Sequence, residues 1–124
     1  GDGLPERAER LGGIALRRFE EMMEEHMLIG DIRGKGLLIS IDLVSDSKSR
    51  APARKEALKT SWRAYEKGLV MISFGRFGNV LRIAPPLTIS EEELEIGLGI
   101  IEESIGDVEK GRVSDDAIRH MKGW

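Results

Sequence analysis

Leu69-Val-Met-Ile-Ser-Phe-Gly-Arg-Phe-Gly-Asn-Val-Leu-Arg-Ile-Ala-Pro-Pro86 is the stretch on which the fold turns. Leu69 to Phe74 reads as a short apolar strand. Gly75 to Asn79 reads as a turn, because two glycines and an asparagine supply the positive φ angles a tight reversal needs. Val80 to Ala84 returns as a second strand, and Pro85-Pro86 stops it because neither residue donates to a ladder. Strand alternation sends Leu81 and Ile83 to one face and Val80, Arg82 and Ala84 to the other.

Upstream, Leu37 to Val44 reads as a third strand, with Leu37, Ile39, Ile41 and Leu43 forming a wholly apolar face opposite Leu38, Ser40, Asp42 and Val44. Ile29 to Gly36 is extended or turning, and Ser45 to Arg50 is a polar loop. Pro52 opens a helix that sets Ala57, Leu58, Ser61, Trp62 and Tyr65 on one side, and Gly68 occupies the left-handed C-cap position. A first helix spans Pro5 to Met27, carrying Leu4, Ala8, Leu11, Ala15, Phe19 and Met22 or Met23 at helical spacing. Gly12-Gly13 in its middle cost about 1 kcal/mol each relative to alanine, so packing must compensate.

Downstream, Ser90 with Glu93 three residues on forms a capping box, followed by the stripe Leu94, Leu98, Ile101 and Ile105. The tail beyond Gly106 is polar, with a short helix from Asp115 to Met121, and Trp124 reads as a buried terminal anchor. The expected fold is an α+β two-layer domain. A three- to four-stranded, mainly antiparallel sheet carries its helices on one face.

Composition narrows the function. The 124 residues suffice for one domain with a modest core, and 40% hydrophobic with 33% charged residues describe a globular chain. The 19 basic and 22 acidic residues are mixed along the sequence and only 5% are aromatic, so neither a basic face nor a stacking platform for nucleic acid emerges. No apolar run reaches the length of a membrane span and no leader pattern opens the chain. Without cysteine there is no disulfide, thiolate chemistry or cysteine zinc site, and a cytoplasmic setting is expected. With glycine at position 1 and a helical pattern already close, the chain is expected to be either processed or excised from something longer.

Few residues stand out as chemistry. His26 and His120 have no sequence neighbours at metal or triad spacing and read as solvent-exposed; no metal ligand set is expected. Glu20-Glu21 and Glu24-Glu25 read as solvated helix surface. Gly34-Lys35-Gly36 lacks the rest of a phosphate loop and precedes a strand where such a loop would open a helix. Arg33 is a turn arginine without a visible partner. Arg82 is different, being the lone charge within Val80 to Leu87. Its planar fork needs an anion, either an internal carboxylate such as Asp42 across the sheet or a carboxylate from outside.

Three stretches together resemble a known family. Ile29-Gly-Asp-Ile-Arg-Gly-Lys-Gly-Leu-Leu-Ile39, Glu66-Lys-Gly-Leu69 and Gly78-Asn-Val-Leu-Arg-Ile-Ala-Pro-Pro-Leu-Thr-Ile89 resemble, in order and spacing, the C-terminal small domain of class III aminotransferases dependent on pyridoxal 5'-phosphate (PLP). That family includes 4-aminobutyrate, ornithine and acetylornithine aminotransferases and related amino-acid racemases.

The resemblance implies a fold-type I homodimer acting on amino-acid and 2-oxo-acid substrates. In it, residues 1–124 form the small domain, made of a leading helix (1–28), sheet and helices (29–106) and a tail (107–124). It implies that Arg82 holds the substrate carboxylate and that the turn from Gly75 to Asn79, Gly78 and Asn79 included, shapes the pocket wall. It also implies that the Schiff-base lysine, the pyridine-facing aspartate and the phosphate loop lie in a separate large domain. None of Lys35, Lys48, Lys55, Lys59, Lys67, Lys110 or Lys122 matches the family's lysine. The isolated piece would then bind no PLP and catalyse nothing. Two other classes remain, a ligand-sensing module and an interaction domain. Both predict a covered, self-sufficient fold, whereas the enzyme reading predicts an exposed, partly apolar sheet face bearing Arg82.

Overall fold

The computed structural model describes residues 3–46 and 48–121. Its order is α1 (Leu4–Glu25), β1 (Ile29–Lys35), β2 (Leu38–Leu43), α2 (Arg54–Glu66), β3 (Ile72–Phe74), β4 (Val80–Ile83) and α3 (Glu91–Glu109), followed by a 3-10 segment from Asp115 to Met121. The four strands form one antiparallel sheet in the order β1-β2-β4-β3. The expected α+β architecture is what the chain adopts.

The sheet owes its two-sidedness to strand alternation. Ile39, Ile41 and Leu43 on β2 and Leu81 on β4 are buried and join one core with Leu11, Phe19 and Met22 of α1 and Leu98, Ile101 and Ile105 of α3. Leu38, Ser40, Asp42, Val80 and Arg82 point the other way, and no helix covers them. Burying an aliphatic side chain of this size contributes about 1.5–3 kcal/mol, so one sheet face holds the domain together and the other does not.

Several local expectations are corrected. The stretch from Ile29, expected only as extended or turning, is a full strand paired with β2 through a turn at Gly36, whose φ is +58°. It lacks an apolar alternation because it is an edge strand with Asp31, Arg33 and Lys35 on the open side. On α2, Tyr65 is exposed while Thr60 and Ala64 are buried, so the stripe is rotated toward small residues that allow close approach to α3. Two of the buried hydroxyls cost little, because Thr60 Oγ1 donates to the Glu56 carbonyl at 2.8 Å and Ser104 Oγ to the Ile100 carbonyl at 2.7 Å. Leu4, expected in the α1 stripe, is exposed, and Pro52 precedes α2 without entering it, bridging to Val44 instead.

Local signals elsewhere hold. Ser90 and Glu93 exchange both hydrogen bonds of the capping box. Gly68, Gly75 and Gly78 have φ of +98°, +93° and +65°. Gly12 explains the weak middle of α1: a Cβ there would lie 1.9 Å from the Gly36 carbonyl oxygen, so the glycine is the contact. The 3-10 segment is strapped to α2 by Lys55 and Lys59, which hold Asp115 at 3.0 and 2.7 Å. These lysines pull its carboxyl down to about 2. Trp124 and Lys122 lie outside the described residues. No helix among the described residues is long and apolar enough to cross a membrane.

Candidate functional site: an arginine on the open sheet face

Arg82 stands in the middle of β4, between Ser40 of β2 and Ile72 of β3 in the register, and its side chain is exposed. It makes no ion pair with the described residues. The internal partner considered from the sequence, Asp42, is engaged elsewhere, accepting a 2.8 Å hydrogen bond from Arg33 across the β1–β2 pair. Arg33 is therefore a strand residue with a partner, flanked also by Asp31 at 3.6 Å. What Arg82 does have is an aromatic shelf. Its guanidinium carbon lies 4.1 Å from the centroid of the Phe74 ring, which stands on β3 diagonally across the same face.

The turn beside it is held from within. The Asn79 amide donates to the Leu43 carbonyl at 3.0 Å, and the Leu43 N–H donates back to the Asn79 carbonyl at 2.9 Å. Asn79 is buried, so its side chain pins the start of β4 to the end of β2. At Gly78 a Cβ would lie 2.9 Å from Nε of Arg54, so a larger residue would push that arginine away in addition to straining a positive φ. Pro52, Arg54, Phe74, Arg76 and Phe77 line a shallow cleft along this edge, and Phe77, Val70 and Leu38 are large apolar side chains left open. An open face that is partly apolar and carries a bare arginine is what the enzyme reading requires.

The second cluster went unseen in the sequence. His26, expected to be solvent-exposed, is mostly enclosed at the end of α1. Its Nδ1 lies 2.6 Å from Glu109 Oε1 and its Nε2 lies 3.1 Å from Glu102 Oε2. Glu109 also accepts from the Leu28 N–H at 3.0 Å, and Arg18 holds the other Glu102 oxygen at 2.9 Å. Burial favours the neutral ring, but the hydrogen bonds and charges of Glu109 and Glu102 outweigh it and raise the His26 pKa. The partners lie 83 and 76 residues away, so no spacing rule could have found them. Glu25, His26 and Glu102 are also near enough to share a cation, although Arg18 already balances part of this charge. His120 lies outside the described side chains.

Lys35, Lys48, Lys55, Lys67 and Lys110 are exposed, and the half-buried Lys59 is paired with Asp115.

Residues 2–105 match the aminotransferase class-III family. The chain is similar to the leucine/methionine racemase of Thermococcus litoralis, at 53% identity over 98% of this chain and 27% of that protein. It is also similar to the 4-aminobutyrate aminotransferase of Mycobacterium leprae, at 36% identity over 86% of this chain and 24% of that protein. A solved aminotransferase from Bacillus anthracis superposes with a TM-score of 0.77 at 35% identity, over 83% of this chain and 24% of that one. The chain thus spans about a quarter of the length of the curated relatives it matches. PLP is the cofactor of this family. A sheet open on one side, the ordered motifs and these similarities converge: the chain belongs to the class III aminotransferase family.

Proposed function

We propose that this chain is the C-terminal small domain of a PLP-dependent amino-acid racemase and that Arg82 binds the α-carboxylate of its substrate. The observation that carries the reading is an exposed arginine in mid-strand, on the uncovered sheet face, with no ionic partner among the described residues. A guanidinium of that kind accepts a carboxylate in two parallel hydrogen bonds. It orients the amino acid and discriminates against amines that have no carboxylate. PLP would supply the electron sink, from residues outside this chain. A large domain packed on the open face, a homodimer and a cytoplasmic setting complete the proposal. Asn79 and Gly78 serve it by fixing the turn that sets the height of Arg82.

Sequence reading put an aminotransferase first and a racemase second. The 53% identity to a leucine/methionine racemase, against 36% to a 4-aminobutyrate aminotransferase, supports the reverse order and a neutral apolar amino acid as substrate. The transaminase reading stays as the alternative, supported by the aminotransferase superposition.

One assay separates them. The full-length protein with PLP and L-leucine or L-methionine should lose optical activity without any 2-oxo acid present. A strict requirement for a 2-oxo acid, with no racemisation, would establish the transaminase instead. An unchanged KM in Arg82→Ala would defeat the anchor under either reading.

A further inference from the structure

We propose that Phe74 is a positioning residue for Arg82: its ring is a shelf that holds the guanidinium on the open sheet face and presents its edge to an incoming carboxylate. The inference rests on the assignment of Arg82 as carboxylate anchor and adds the group that makes that anchor selective.

The geometric argument starts from what an exposed arginine lacks. Its long, flexible side chain has many rotamers, and an unsupported guanidinium on a sheet surface must be ordered by the substrate that binds it. Among the described residues Arg82 has no carboxylate to order it, because Asp42 is held by Arg33 at 2.8 Å. The Phe74 ring, with 4.1 Å from its centroid to the guanidinium carbon, is within the range of a favourable cation–π contact. The register explains why the ring is there. Phe74 pairs with Val80 and Ile72 pairs with Arg82, so Phe74 lies one step along on the same face.

The chemistry of the two contacts is complementary. An aromatic ring engages the flat face of a guanidinium, while a carboxylate engages the N–H groups in its plane. A carboxylate partner inside the domain would occupy the fork and compete with substrate. An aromatic one orders the cation and leaves its donors free. The ring also covers one side of the guanidinium from water, which strengthens the hydrogen bonds on its edge.

The test uses the full-length enzyme. Phe74→Leu keeps an apolar side chain but removes the ring, and is expected to raise the KM for the amino-acid substrate about 3- to 30-fold with kcat nearly unchanged. The inhibition constant of a simple aliphatic monocarboxylate, which has no amino group to engage the cofactor, should rise by the same factor. Phe74→Tyr, which keeps the ring face, should stay within about twofold of wild type.

A series of mono-, di- and trifluorinated phenylalanines at position 74 guards against a folding defect in Phe74→Leu. Fluorine weakens the electron-rich ring face with little change of shape, so KM should climb with each substitution. A flat KM across the series, or a Phe74→Leu enzyme with wild-type KM and inhibition constant, overturns the proposal. If Arg82→Ala raises KM while these variants do not, the anchor stands and only the Phe74 role is lost. If Arg82→Ala itself has no effect, the anchor fails and the Phe74 role with it.

Discussion

Leu81 and Arg82 are neighbours on β4 and meet opposite fates. Leu81 is fully buried against the helices, among the largest side chains of the core, whereas Arg82 is exposed on a face that none of the described helices covers. The same contrast separates the two sides of the domain more widely. On the helix side His26 finds partners within the domain, in Glu102 and Glu109. On the open side a cation is left with an aromatic ring. A charge satisfied within its own domain serves the fold, while one left beside an apolar ring is, in the reading proposed here, free to meet something that arrives from outside.

Four measurements can break or sharpen this contrast. The largest effect is expected from Leu81→Ala, which should lower stability by about 2–5 kcal/mol through lost burial and a cavity at the sheet centre. Denaturant unfolding reads it, and a loss below 1 kcal/mol would mean that this face is not the core. His26→Gln comes next, with a loss of about 1–2 kcal/mol at pH 6 from hydrogen bonds to charged carboxylates.

The sign of its pH dependence follows from a pKa raised in the folded state. The contribution is complete below about pH 6.5, the unfolded value, and fades as pH rises through the folded value. The stability gap between wild type and His26→Gln should therefore narrow from pH 6 to pH 9, and a gap that widened would contradict the carboxylate clamp. Ser90→Ala should cost about 1 kcal/mol by opening the capping box, at every pH in that interval. The smallest effect belongs to Arg82→Gln, which should change stability by no more than about 0.5 kcal/mol. A large destabilisation there would make Arg82 a structural residue after all.

These elements also show where a sequence can be read and where it falls silent. The capping box at Ser90, the glycine turn before β4 and the placement of Arg82 opposite Leu81 follow from local rules: a cap reaches three residues, a turn five, an alternation two. The Phe74 shelf escaped because it depends on the register between two strands, which a single chain does not display. His26 escaped for a stronger reason. Its ring is read correctly only once α1 and α3 are packed, and its partners lie 76 and 83 residues downstream. Its location at the end of a polar helix made exposure the natural expectation. The strand β1 was half-legible, because an edge strand with Asp31, Arg33 and Lys35 on its open side resembles a loop by hydropathy alone.

The contact at Gly12 has a mechanical consequence. Because the helix backbone there rests directly on the Gly36 carbonyl, with no side chain to flex between them, α1 is keyed to the β1–β2 hairpin like a shaft to its wheel. It can neither roll nor slide without lifting off the sheet. A displacement of α1 would therefore press on the β1–β2 hairpin, and β2 is paired directly with the strand that carries Arg82. If Arg82 is the carboxylate anchor proposed above, a movement imposed on the leading helix would reach it through the body of this domain.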